Sequence, residues 1–214
     1  MDIRIKEAIR YLGYGRHAID EPTYALVETC LKELDELASV KLVYRIFELT
    51  YLDENSVQIN NFSIKSNNLV KNLNGCKSIV LMAITLGAEV DRMLQRYEKI
   101  NMPKAVVFQA CAASFLEYHC DMLVKTIADE LKKEGKFLRP RFSPGYGDFS
   151  ILHQKQILES LEATKHMGLS LTDSCMLIPT KSVTAVIGIS DTDEKCHKAG
   201  CEVCDKLDCT FRRS

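Results

Sequence analysis

The sequence predicts an α+β domain in which a mainly antiparallel sheet is flanked by helices, and three observations favour this class. Helical patterns precede, interrupt and follow the strand patterns without the regular alternation of a doubly wound sheet. Residues 40–50 alternate polar and apolar side chains and are rich in β-branched and aromatic types, which is typical of a strand with one covered face. Residues 78–85 form a short continuous apolar run, which indicates a strand buried on both faces.

The N-terminal region predicts two helices. Apolar residues at every third or fourth position predict a helix over residues 1–12, and a glycine-containing turn at 13–15 ends it. Asp20 followed by Pro22 has the cap-then-proline pattern of a helix start. Apolar residues at helical spacing then continue this second helix to about residue 39.

The rest of the chain continues the mixed pattern. Further strands are predicted at residues 56–62, 175–178 and 182–189. Further helices are predicted at residues 66–73, 88–99, 103–135 and 154–167. The longest of these has an apolar stripe on one side and a charged stripe on another, and Glu117 lies on the charged stripe.

Composition excludes several classes of partner. The chain has 214 residues, 46% of them hydrophobic, with a net charge of -1 and a pI near 6.5, so it lacks the basic balance of a nucleic-acid-binding protein. The N-terminus alternates charged and aliphatic residues, and no window approaches the roughly 18 apolar residues of a membrane span. We therefore expect a cytoplasmic protein with no nucleic-acid or membrane partner.

Nine cysteines without a secretion signal predict reduced thiols rather than a disulfide framework. Five lie in apolar segments, where a thiol behaves as a small core hydrophobe: Cys30, Cys76, Cys111, Cys120 and Cys175. The other four crowd into the C-terminal tail and are Cys196, Cys201, Cys204 and Cys209.

The spacing of the tail cysteines predicts a metal centre. The first three have the C-x4-C-x2-C spacing of plant-type iron-sulfur proteins, although the fourth follows sooner than in those proteins. We expect an iron-sulfur cluster on these four thiols. A tetrahedral zinc ion and free thiols remain alternatives, and His197 is a possible substitute ligand.

Residues 139–149, R-P-R-F-S-P-G-Y-G-D-F, are the main candidate binding segment. Two prolines fix φ and two glycines allow positive φ, so the backbone must be irregular and shaped. Rigid loops of this kind often carry binding residues. The interleaved arginines and aromatics predict a site for a small anionic or zwitterionic ligand.

Within this segment, residues 141–146, R-F-S-P-G-Y, resemble the R-P-A-P-G-Y signature of the activation domain of cobalamin-dependent methionine synthase. Residues 115–118, F-L-E-Y, resemble the F-A-E-Y of the same family. Residues 168–184 are similar to its G-x-x-L-T-E-S...P...S-V-S segment. The order is preserved, and the match covers the chain from about residue 78 to residue 190.

The chain is therefore similar to small stand-alone relatives of this activation domain. This resemblance implies an activation-domain-like α+β domain over residues 1–190, of which residues 1–75 are divergent, followed by a cysteine-rich tail at 191–214. In the large synthases an acidic ligand contact lies four residues before the F-A-E-Y glutamate, where this chain has Ala113. A further aromatic contact of the synthases has no counterpart here.

The resemblance implies that the domain binds S-adenosylmethionine. Arg141 would hold the methionine carboxylate through its fork of donors, and Ser143 would contact the ligand through its backbone. Tyr146 would pack on the ligand or hydrogen-bond to it, and Gly145 and Glu117 complete the implied ligand set. No general base is required, so no catalytic residue is expected.

The resemblance also implies a function. In this family the cobalamin is occasionally oxidised from cob(I)alamin to inactive cob(II)alamin, and one electron with a methyl group from S-adenosylmethionine regenerates methylcobalamin. We expect reactivation of an oxidised corrinoid protein, such as a methionine synthase without its own activation domain, and an electron donor as a second partner. Turnover would then require the corrinoid partner. The alternatives are a non-catalytic corrinoid-protein partner and an accessory of another corrinoid methyltransferase system.

Overall fold

The computed structural model describes residues 2–14 and 17–193, which divide into two compact units. The described part of the first unit comprises residues 2–14, 17–40 and 86–122, and that of the second comprises residues 41–85 and 123–193. Within the described residues, each unit therefore combines stretches that lie far apart in the sequence.

Helices and strands alternate irregularly along the described residues. The helices are α1 (Ile3–Tyr11), α2 (Glu21–Leu37), α3 (Asn67–Leu73), α4 (Ala88–Ile100), α5 (Met102–Lys132), α6 (Gln154–Leu161) and α7 (Ala163–Met167), with a 3-10 turn at Ile151–His153 before α6. The strands are β1 (Lys41–Asp53), β2 (Ser56–Ile59), β3 (Phe62–Lys65), β4 (Cys76–Thr85), β5 (Phe137–Leu138), β6 (Ser170–Leu171), β7 (Leu177–Ile178) and β8 (Ser182–Ser190).

The first unit contains α1, α2, α4 and the N-terminal part of α5. The predicted cap of α2 is confirmed, because the Asp20 carboxylate accepts a hydrogen bond of 2.9 Å from the amide of Thr23, and a proline lies in the first turn. An ion pair of 2.6 Å joins Arg4 of α1 to Asp35 of α2. The Tyr97 hydroxyl of α4 donates a hydrogen bond of 2.7 Å to Glu33 of α2.

The second unit is built on a six-stranded sheet with the order β3-β2-β1-β4-β8-β5, in which every neighbouring pair is antiparallel. Strand β4 lies between β1 and β8, and its residues from Ile79 to Thr85 are all buried. The prediction of a strand covered on both faces is therefore confirmed, as is the α+β class.

The core of the second unit forms between this sheet and helices α3, α6 and α7. Its fully buried side chains include Ile59, Ile64, Leu69, Ile79, Leu81, Phe149 and Leu161. The partly buried Phe142 packs against the same cluster. Two residues of the candidate binding segment, Phe142 and Phe149, thus belong to the core rather than to the surface.

Two predicted elements are interrupted in the structure by a residue with positive φ. The strand predicted at residues 56–62 is a hairpin, because Asn60 takes a φ of 51° and turns the chain between β2 and β3. The helix predicted at residues 154–167 breaks at Glu162, whose φ is 50°. Arg45 of β1 holds this break, since it forms an ion pair with Glu162 and donates a hydrogen bond of 3.0 Å to the Ser160 carbonyl.

Four of the five cysteines expected in the core are buried, and one is not. Cys30, Cys76, Cys111 and Cys120 are buried. The prediction was wrong for Cys175, which is only half-buried and has a φ of 62° in the turn before β7, so the strand predicted at residues 175–178 is shorter. Within the described ranges, no helix combines the length and apolarity that crossing a membrane would require.

Candidate functional site

The candidate binding segment begins along the edge of the sheet. Strand β5 pairs with the end of β8, and the amide of Arg139 donates a hydrogen bond of 2.8 Å to the Gly188 carbonyl. Phe142 and Val186 exchange two backbone hydrogen bonds of 2.9 Å in an isolated antiparallel bridge. The chain therefore enters the turn from a fixed position beside β8.

The approach to β8 is close because Gly188 has no side chain. A Cβ atom at Gly188 would lie 2.6 Å from the Cys76 sulfur and 3.0 Å from Cγ of Arg139. Real Cβ contacts are longer than this, so glycine is needed here on steric grounds. The position thus sets how near the segment lies to the sheet.

The two arginines of the segment have different environments. Arg139 is 8% exposed, and its Nη2 lies 3.3 Å from both the Asn74 carbonyl and the Ser190 hydroxyl, to which it donates. Arg141 is half-buried. Ser143, on the other side of Phe142, is half-buried as well.

Backbone hydrogen bonds close the turn from Ser143 to Phe149. The amide of Tyr146 donates to the Ser143 carbonyl at 3.2 Å, and that of Gly145 donates to the Phe149 carbonyl at 2.7 Å. The amide of Phe149 donates back to the Tyr146 carbonyl at 3.0 Å. Gly145 has a φ of 93°, which a residue with a side chain would adopt only with strain.

The turn separates an anchored side from an exposed side. The Phe149 ring is 1% exposed and stacks on the Phe142 ring with centroids 6.2 Å apart, and Pro144 is buried. The Tyr146 side chain is 68% exposed, and Gly145 is exposed as well. The structure therefore brings Ser143, Gly145 and Tyr146 together in one turn whose outer side is open.

A carboxylate on the same turn caps helix α3. Asp148 accepts hydrogen bonds from the Ser66 hydroxyl at 2.5 Å, the Asn67 amide at 2.7 Å and the Asn68 amide at 3.1 Å. The bond from the Ser66 hydroxyl, supported by those two amides, lowers the pKa of Asp148 to about 2. Sequence reasoning did not identify Asp148 as part of the site. No local pattern could have done so, because its partners are about eighty residues earlier in the chain.

The second signature segment, residues 168–184, forms the β6–β7 hairpin and the start of β8. Two hydrogen bonds close the tip of the hairpin. The Thr172 amide donates one of 2.9 Å to the Met176 carbonyl, and the Met176 amide donates one of 3.0 Å to the Thr172 hydroxyl. The hydroxyl of Ser182 lies 2.7 Å from that of Thr85 on β4. These contacts give the segment a structural role in the second unit.

The remaining predicted site residues lie elsewhere in the chain. Glu117 is half-buried on the part of α5 that belongs to the first unit, whereas the turn belongs to the second, so its part in a ligand site stays a prediction. The predicted metal ligands Cys196, Cys201, Cys204 and Cys209 lie outside the described residues. Among residues 2–14 and 17–193, no group of three or more histidine, cysteine or acidic side chains is arranged to hold a metal ion.

Ala113 lies on the same helix, one turn before Glu117. It lines a groove of about 520 Å³ in the first unit, together with Leu94 of α4 and Val106 and Ala110 of α5. The groove is mainly apolar, although Glu98 and Gln109 also line it. The position at which the resemblance implies an acidic contact is therefore in apolar surroundings.

The antiparallel sheet, its flanking helices and the rigid turn beside β8 define an α+β domain. Residues 54–202 match the family model described as the activation domain of vitamin B12-dependent methionine synthase. Because the matched residues are more than half of the chain, the chain belongs to this family. The resemblance predicted from the sequence is confirmed.

The fold agrees with a solved structure of the same kind of domain. The crystal structure of the MetH reactivation domain bound to AdoHcy is similar with a TM-score of 0.61, at 17% sequence identity. The similarity covers 90% of this chain and 78% of that one. No curated protein sequence matches the chain.

Proposed function

We propose that this protein reactivates an oxidised corrinoid protein, such as a methionine synthase, by binding S-adenosylmethionine and supporting reductive methylation. The observation that carries the proposal is the turn from Arg141 to Tyr146, which lies inside the family match of residues 54–202. The similar reactivation domain was solved with AdoHcy, which is S-adenosylmethionine without its transferred methyl group. This ligand supports the choice of methyl donor.

The turn offers suitable groups for such a ligand. The guanidinium of Arg141 would bind the methionine carboxylate with two parallel hydrogen bonds, a geometry that lysine does not reproduce. At Gly145 the exposed backbone would allow close approach, since no side chain intervenes. The exposed ring of Tyr146 would pack over the ligand or hydrogen-bond to it. Glu117 would be a further contact from α5.

The chemistry itself belongs to the ligand and to the partner. The corrinoid on the partner protein supplies the cobalt chemistry, and the methyl donor supplies the methyl group. One electron from a low-potential donor balances the step, and S-adenosylhomocysteine leaves. Arg141 and Tyr146 would hold the methyl donor in a fixed orientation, and such positioning is a sufficient contribution from the protein.

Binding of the methyl donor tests the first part of the proposal. Isothermal titration with S-adenosylmethionine should show saturable heat for the wild type. Arg141→Ala should bind about tenfold to a hundredfold more weakly, as expected for loss of hydrogen bonds between charged groups. Arg141→Lys is the matched control that keeps the charge but loses the fork, so it should recover only part of the affinity. No heat at millimolar ligand would contradict the proposal.

Reactivation tests the second part. The protein is mixed anaerobically with an oxidised corrinoid protein, S-adenosylmethionine and a low-potential chemical reductant, and the corrinoid absorbance is followed. We expect conversion to the methylated form in the complete mixture only. Omitting the methyl donor should abolish the conversion, and Arg141→Ala should slow it. Conversion at the same rate without this protein would argue against a reactivation role.

The tail cysteines carry a separate part of the proposal. We infer from their spacing that Cys196, Cys201, Cys204 and Cys209 bind an iron-sulfur cluster, with a zinc ion as the alternative. A cluster could deliver the electron, because clusters reach potentials as low as roughly -700 mV. An anaerobic preparation should be brown and should bleach on reduction, and Cys201→Ser should lower the iron content. A colourless protein with one zinc would contradict electron delivery.

A second candidate function is a corrinoid-protein partner that no longer binds the methyl donor. The observation that favours it is Ala113 in its apolar groove, where the large synthases carry an acidic ligand contact. Such a module would bind the corrinoid protein in a pull-down yet give no heat with S-adenosylmethionine. Repeating the reactivation assay with other corrinoid methyltransferase components would show whether the partner is a methionine synthase.

A further inference from the structure

The turn that carries Ser143, Gly145 and Tyr146 is attached to the second unit at three places. The Phe142 bridge to β8 fixes its beginning, and the buried ring of Phe149 fixes its end. The third attachment is the carboxylate of Asp148, which is exposed to solvent on its other side. The first two attachments are backbone pairing and core packing, whereas the third is polar and lies closest in sequence to Tyr146.

The Asp148 attachment satisfies the first turn of α3. Its Oδ1 accepts from the Ser66 hydroxyl and the Asn68 amide, and its Oδ2 accepts from the Asn67 amide. Amides at a helix start have no partner within the helix, so a carboxylate there is favoured by hydrogen bonding and by the helix dipole. Ser66 also caps α3 directly, because its hydroxyl accepts a bond of 3.0 Å from the Leu69 amide.

The glycine before Asp148 also lies close to helix α3. Gly147 has a φ of 54°, and a Cβ atom added there would overlap the side-chain amide of Asn68 and lie 3.2 Å from its Cγ. The backbone at Gly147 thus lies against the side chain of Asn68, in the first turn of α3. Asp148 and Gly147 are therefore both in contact with this helix turn.

We propose that Asp148 is a positioning residue for the ligand turn, because its carboxylate fixes residues 143–149 against α3 and so keeps Tyr146 and Gly145 in the conformation that binds ligand. The inference rests on the proposed function. A turn that is ordered before the ligand arrives avoids the cost of ordering on binding. If the ordered conformation becomes only a fraction of the population, the apparent affinity falls by that fraction.

The test compares two aspartates that cap helices. Asp148→Ala removes the polar attachment of the turn, and Asp20→Ala removes the cap of α2 in the other unit. Loss of a capping side chain typically changes an equilibrium about fivefold to tenfold, so both variants should lose a similar amount of thermal stability. Only Asp148→Ala should change the turn.

Two readouts follow the turn. The first is hydrogen exchange, measured by NMR, at the amides of Gly145, Tyr146 and Phe149, which close the turn. The second is the affinity for S-adenosylmethionine. In Asp148→Ala we expect exchange about tenfold faster and affinity about tenfold weaker, whereas Asp20→Ala leaves both unchanged. Asp148→Asn keeps one acceptor oxygen and should recover part of both.

The outcomes separate this inference from the proposed function. If Asp148→Ala changes exchange and affinity no more than Asp20→Ala does, Asp148 is only a structural cap and the inference is overturned. If the wild type binds no S-adenosylmethionine, the proposed function fails, while the exchange data still decide whether Asp148 orders the turn. If Asp148→Ala does not fold, Ser66→Ala and Asp148→Asn are measured instead, and unchanged exchange in both overturns the inference.

Discussion

Replacing Gly188 with alanine should loosen the attachment of the binding segment to the sheet. A Cβ atom there would lie 2.6 Å from the Cys76 sulfur and 3.0 Å from both Cγ of Arg139 and Cδ2 of Leu73. Overpacking of this kind costs typically about 1–3 kcal/mol. In a domain of this size, a loss of about 2 kcal/mol lowers the melting temperature by about 4–8 °C.

A second substitution shows whether the clash with Cys76 is the cause. Cys76→Ala alone removes a buried side chain and should destabilise the protein by about 1 kcal/mol. In the Gly188→Ala background the same change removes the closest contact and should be neutral or stabilising. The coupling free energy between the two sites would then be about 1 kcal/mol or more.

Urea unfolding followed by circular dichroism gives the free energy of unfolding of the wild type, of each single variant and of the double variant. Hydrogen exchange at the Arg139 amide, which donates to the Gly188 carbonyl, reports the local effect. Equal stability of Gly188→Ala and the wild type would refute the steric reasoning. So would a cost of Cys76→Ala that is the same in both backgrounds.

Three further predictions concern charged groups. Because the pKa of Asp148 is lowered to about 2, its ionised carboxylate contributes to stability above pH 3.8, and this contribution is lost as the pH falls towards about 2. In Asp148→Asn the free energy of unfolding, measured over a pH series, should therefore fall less steeply on the acid side. Burial opposes the charge of Lys104, but hydrogen bonds with Glu33 and Tyr97 outweigh burial and raise the pKa of Lys104 to about 12. Glu33→Gln weakens this interaction and should lower the free energy of urea unfolding by about 1 kcal/mol. Arg139→Ala should cost about 2 kcal/mol in the same assay, because it removes a buried side chain that donates to the Asn74 carbonyl and the Ser190 hydroxyl. A cost below that of exposed-site variants would contradict the buried role.

The elements that were predicted correctly have their cause close by in the chain. The apolar run of β4 needs cover on both faces wherever the strand lies. The cap and early proline of α2 stabilise its first turn locally. The long apolar stripe of α5 has the helical period over many turns.

The elements that were missed depend on distant residues or are too short to have a period. The break at Glu162 depends on Arg45, which belongs to a strand far earlier in the chain. Strands β5 and β6 have two residues each, so no alternation exists to detect. The left-handed backbone of Cys175 is hidden by its apolar neighbours, which suggest a strand.

The residues of the candidate site likewise differ in whether the sequence alone could identify them. A signature in sequence identifies the turn around Tyr146, because its prolines and glycines specify a shape. The difference between Arg139 and Arg141 emerges only from the packing of the sheet edge, which buries the first. The partners of Asp148 could not be inferred, since the turn and α3 are joined by the tertiary fold alone.

The discontinuous assembly of the sheet affects how the chain folds during synthesis. Strand β4 ends at Thr85, but its partner β8 begins only at Ser182, after α4, α5 and the binding turn have been made. Until then, one edge of the apolar strand β4 lacks the partner β8, and unpaired apolar edges promote association between chains. Ribosome-bound chains that stop before β8 should therefore depend on chaperones, and the candidate binding segment would be among the last parts to reach its final conformation.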